Sequence, residues 1–146
     1  MLLQVDARVA SVAQVIQLSV APVFLLSGVG TLLVVLTNRL ARIVDRTRAL
    51  EGGLGELPDA PPAVNAEVDM LHRRAHLINW AVSLSTLAAL LICCVVGVLF
   101  VGAFLDVHLA RAVALCFVAA MGAMIGALLC FLREILFATS GLRRTR

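Results

Sequence analysis

The chain has 146 residues, 62% of them apolar and 14% charged, with a formal net charge of +3 at pH 7 and a mean hydropathy of +1.04. Three stretches carry no Asp, Glu, Lys or Arg: Val9–Asn38, Leu77–Leu105 and Ala112–Leu132. Each exceeds the roughly 20 residues that cross a hydrocarbon core about 30 Å thick, which excludes a soluble domain and predicts an all-α membrane protein with three transmembrane helices.

All twelve basic residues are Arg. Between the first two apolar stretches, Arg39, Arg42, Arg46, Arg48, Arg73 and Arg74 stand against Asp45, Glu51, Glu56, Asp59, Glu67 and Asp69, so this loop is formally neutral. Nucleic-acid binding needs an uncompensated basic surface, and none is expected. Orientation depends instead on counting Lys and Arg. The loop and the tail from Arg133 hold ten arginines, against Arg8 and Arg111 elsewhere. That predicts a cytoplasmic loop and C-terminus, with the N-terminus and the short turn outside.

In chain order, Leu2, Val5, Val9, Val12 and Ile16 mark one apolar helix face, read as an interfacial helix over 1–13 rather than a signal peptide. Transmembrane helix 1 is expected over 14–38, with Pro22 a candidate kink. Gln17, Ser27, Thr31 and Asn38 fall on one side of it, and Arg42 continues the line. Such a face is either helix–helix glue, with hydroxyls that can also bond back to their own backbone, or the lining of a pathway shared by several subunits.

Residues 39–76 are expected to form a helical hairpin. Leu40, Ile43, Val44, Thr47 and Leu50 make the first stripe, and Gly52-Gly53 opens a Gly/Pro-rich tip over 52–62. Val64, Val68, Leu71, Ala75 and Ile78 repeat a 4-3-4-3 coiled-coil spacing. The first two membrane helices would thus continue about 20 Å into the cytoplasm as an antiparallel pair. On the second arm Asp69, His72 and His76 share one stripe. A carboxylate and two imidazoles so spaced are a candidate for binding an inorganic ion or for sensing pH, against the plainer reading of a solvated flank.

Transmembrane helix 2 is expected over 77–105, a turn over 106–111 and transmembrane helix 3 over 112–132. Ala119, Gly122, Gly126 and Cys130 lie on a small-residue face suited to close helix packing. The four cysteines all fall within spans and form no metal-finger spacing. Residues 133–146 read as an amphipathic basic tail at the inner headgroups.

The block "IQLSVAPVFLLSGVGTLLVVLTNRLARIVDRTRALE", followed by "RRAHLINWAVSLSTLAALLICC" and "LREILFATSGLR", resembles a family of small bacterial membrane proteins known as domain of unknown function 2721. The resemblance covers most of the chain and is weakest across the loop tip. It implies the three-span fold and a bacterial inner (cytoplasmic) membrane, and transfers no activity.

No span carries a charged residue or His at its centre, and no HExxH, GxSxG or phosphate-binding glycine loop occurs. The chain is therefore expected to be neither an enzyme nor dependent on a cofactor. Two functions follow as expectations. One is a homo-oligomeric ion channel or permeation protein that uses the polar face of helix 1 and is gated through its cytoplasmic helices. The other is a non-conducting scaffold or accessory subunit that docks a partner or anionic lipid through the hairpin.

Overall fold

The computed structural model describes residues 2–54, 62–105 and 110–142, all of them helical. Three helices account for them: α1 (Leu2–Leu54), α2 (Pro62–Leu105) and α3 (Ala110–Leu142). At 1.5 Å per residue they measure about 80, 66 and 50 Å. All three are long and apolar enough to cross a membrane. The large apolar side chains they leave uncovered, such as Phe24 at 74% exposure and Leu115 at 71%, suit lipid and not water. This is a membrane protein.

α1 is unbroken from its first turn, so the segment read as an interfacial helix is continuous with the span that follows. It also passes through Pro22 and through Gly52-Gly53, ending at Leu54. Each glycine costs a helix only about 1 kcal/mol, which cooperative neighbours outweigh. α2 opens on Pro62, where the missing N–H would have had no helical partner anyway. The loop tip at 55–61, the turn at 106–109 and the last four residues lie outside the described residues.

The chain divides into two compact units, one drawn from the residues up to Thr31 and from Ser85 to Met124, the other from Leu32 to Leu84 and from Ile125 onward. In the first, Ser19 and Val29 of α1, Ser85, Ala88, Ile92 and Val95 of α2, and Ala120 and Ala123 of α3 are buried. Ser19 Oγ donates to the Ile16 carbonyl at 2.8 Å, while Ser85 Oγ has no partner among the described residues.

The second unit is built on a cluster of Leu36, Ile43, Leu71, Ile78 and Ala81, with Leu40, Leu50, Ala75, Cys130 and Phe131 packed against it. Leu36 and Ile43 are seven residues apart, as are Leu71 and Ile78, and Ala127 and Glu134 are buried at the same interval on α3. A seven-residue interval keeps one side of a helix turned to its neighbours. The stripes read on the two arms supply this cluster: Ile43 and Thr47 are buried on α1, and Leu71 and Ile78 on α2.

On α3 the close-packed line runs through Ala120, Ala123 and Ala127, while Ala119 and Gly122 are exposed. Gly126 is half-buried, and a Cβ there would meet Leu84 Cδ1 at 3.2 Å. Cys130 packs against the cluster. A methyl at Gly122 would meet nothing within 4 Å. Gly122→Ala is therefore expected to leave thermal stability in detergent unchanged or raise it by up to about 1 kcal/mol. Ala127→Leu should lower it by about 1–3 kcal/mol through overpacking. A Gly122→Ala variant that loses an oligomer seen with the unsubstituted chain would show that a second copy occupies this face.

Candidate functional site

The strongest polar feature of the second unit lies inside its hydrophobic cluster. Glu134, two residues past the uncharged stretch of α3, has a side chain only 1% exposed. Desolvating a carboxylate is prohibitive without compensation, and here two cations supply it. Arg74 of α2 donates from Nη2 to Glu134 Oε1 at 2.8 Å, and from Nε to the same oxygen at 3.3 Å. Arg39 of α1 donates from Nη1 to Oε2. The Arg39 guanidinium also lies 5.3 Å from the centroid of the Phe131 ring, close enough for a cation–π contact.

The neighbours explain why these side chains meet. Arg39 falls between Leu36 and Ile43, and Arg74 between Leu71 and Ile78, each about a turn from a buried residue. Apolar packing above and below brings the two guanidinium groups to the level of the carboxylate. The result is a charged clasp that ties α1, α2 and α3 together where their uncharged runs end. In the sequence Arg39 and Arg74 read as topology signals, and Glu134 as one residue of the basic tail. The available signal was an acid in the first turn beyond a membrane span, a position where an ionisable side chain calls for a named partner.

Farther along the arms, polar contacts link α1 and α2 at the surface. Arg46 donates to Glu67 Oε1 at 3.0 Å from Nη2, and His72 Nε2 lies 3.4 Å from Glu51 Oε1. Both pairs are exposed, so each contributes at most about 1 kcal/mol. His76 accepts a hydrogen bond from Trp80 Nε1 at 3.1 Å, with the rings edge to face. The structure thus turns His72 toward Glu51 and His76 toward Trp80, while Asp69 is exposed. Among the described residues no group of three His, Cys, Asp or Glu side chains is placed to hold a metal ion.

The polar positions of α1 are all exposed: Gln17, Ser27 and Thr31 in the first unit, Asn38 and Arg42 in the second. Thr31 Oγ1 donates to the Ser27 carbonyl at 3.1 Å, and Thr37, one residue before Asn38, donates to the Leu33 carbonyl at 2.8 Å. Both hydroxyls therefore bond back to their own helix, a local pattern that satisfies them without any partner across a pathway.

The chain belongs to the DUF2721 family: the family's model, described as a protein of unknown function, matches residues 19–144. No curated protein and no solved structure matches it.

Proposed function

We propose that this member of the DUF2721 family is a non-conducting membrane scaffold, a three-span anchor that holds a paired helical stalk on the cytoplasmic side and presents it to a protein partner. The carrying observation is the clasp of Arg39 and Arg74 on Glu134. It joins all three helices where the spans end and the arms begin. Ile43 and Leu50 of one arm and Leu71 of the other belong to the apolar cluster around it, and the surface pair Arg46–Glu67 lies farther out. Such a stalk is stiff at its root, which suits presentation more than gating. The cytoplasmic placement follows from the arginine count.

Less in the sequence and the geometry favours the permeation reading. Gln17 and Asn38 stand 21 residues apart, about 32 Å along the helix, a separation that suits the two edges of a bilayer better than a lining at mid-span. Thr31 is engaged with its own backbone. Ser27 remains as the mid-span hydroxyl of the stripe, and one hydroxyl does not line a pathway.

The test is ion flux from purified protein in liposomes together with crosslinking in native membranes. The scaffold reading expects flux no greater than in protein-free vesicles, unchanged by Thr31→Val. It also expects a photo-crosslinker at Arg48, on the exposed side of the stalk, to capture one defined protein. Flux that falls several-fold in Thr31→Val would sink this reading and restore a homo-oligomeric channel.

A further inference from the structure

Arg133 precedes Glu134 on α3, yet the carboxylate does not neutralise it, because Glu134 is turned inward onto Arg39 and Arg74. Arg133 is exposed and makes no ion pair among the described residues. It instead helps to line a cleft of about 510 Å³ with Leu77 of α2 and with Leu136 and Phe137 of α3. The cleft therefore combines one uncompensated cation with an apolar floor.

Two more residues of α2 sit on the same side by register. Arg73, exposed, lies one turn before Leu77, and Trp80, also exposed, lies one turn after it. Arginine below and tryptophan above is the order in which a helix crosses from headgroups to acyl chains. The nearest acid on this face of α2 is Asp69, a further turn away from the span.

We infer that this cleft is a binding site for an anionic glycerophospholipid of the adjacent leaflet. Its phosphate pairs with Arg133, with Arg73 at the lip, and its acyl chains lie along Leu77, Leu136 and Phe137. Charge complementarity selects the anionic headgroup, and the apolar floor selects a lipid over a free phosphate. Basic clefts between membrane helices recognise headgroups by this combination. Apart from Arg73 at its lip, the site lies outside the stalk proposed to meet a protein partner, and it stands whether or not that partner exists.

Trp80 is the chain's single tryptophan and reports on lipid beside the cleft. The full chain is reconstituted in phosphatidylcholine bilayers that contain either dibrominated phosphatidylglycerol or dibrominated phosphatidylcholine, and the quenching of Trp80 is compared. A single cation near the surface predicts a preference of about fivefold for phosphatidylglycerol. Arg133→Gln should bring the ratio within about twofold of unity, Arg133→Lys should retain most of the preference, and Arg111→Gln, at the other end of α3, should leave it intact. Unfolding midpoints taken alongside establish that each variant is folded. A ratio near one in the unsubstituted chain, a fivefold ratio that survives Arg133→Gln, or its loss in Arg133→Lys would each overturn the assignment.

Discussion

Glu134→Ala is expected to lower the stability of the folded chain by about 2–4 kcal/mol, read as denaturant unfolding in detergent by Trp80 fluorescence. Breaking a buried ion pair by removing one member costs about 3–5 kcal/mol when the remaining charge stays buried. Here the remaining charges are partly relieved. The Arg39 side chain is already 41% exposed and that of Arg74 24%, so both can turn toward headgroups or water, which trims the cost. The reverse deletion is harsher. Arg39→Ala with Arg74→Ala leaves a carboxylate at 1% exposure without a cation, and about 3–5 kcal/mol is expected for that pair.

The two deletions are also coupled. Arg74→Ala should cost about 2 kcal/mol less in a Glu134→Ala background than in the unsubstituted chain, because its partner is already gone. A Glu134→Ala loss below about 0.5 kcal/mol, or costs that simply add, would mean that the clasp does not hold the helices together.

Much of this architecture was legible in the sequence because it depends on local periodicity. Uncharged runs announce spans by length alone, and the stripes through Ile43 and Thr47 on one arm and through Leu71 and Ile78 on the other announce which side of each arm turns inward. The clasp was not legible for a different reason. Glu134 meets Arg39 and Arg74 across 95 and 60 residues of chain, and no local pattern says which arginine in a row of them turns inward. The polar side of α1 shows a further limit. A helical wheel places Thr31 on a face but cannot tell a hydroxyl aimed at a neighbour from one bonded to the Ser27 carbonyl of its own helix. Likewise on α3, small residues mark a face to within one position. Only packing separates the buried Ala120, Ala123 and Ala127 from the exposed Ala119 and Gly122.

The proposed stalk is tested by Ile43→Asp. Ile43 is buried in the cluster with Leu71 and Ile78, one turn beyond Arg39. Of the arginines a turn away from it, Arg39 is engaged with Glu134 and Arg46 with Glu67, so a carboxylate there would have to compete for a partner. The substitution also removes a β-branched side chain from the seam. Together the buried charge and the lost packing are expected to cost at least about 3 kcal/mol, concentrated in the arms, because the spans are held by lipid and by contacts of their own. Trypsin provides the readout, since Arg42, Arg46 and Arg48 lie on this arm and a paired helix resists cleavage until it opens locally. At equilibrium opening, 3 kcal/mol corresponds to cutting about 100-fold faster at these sites, while the membrane-embedded fragments survive. Ile43→Val, which keeps the packing and adds no charge, should change the rate by less than about tenfold. Rapid cleavage of the unsubstituted chain at the same arginines would show that the arms are not paired in the membrane-bound protein, and the scaffold reading would fail with them.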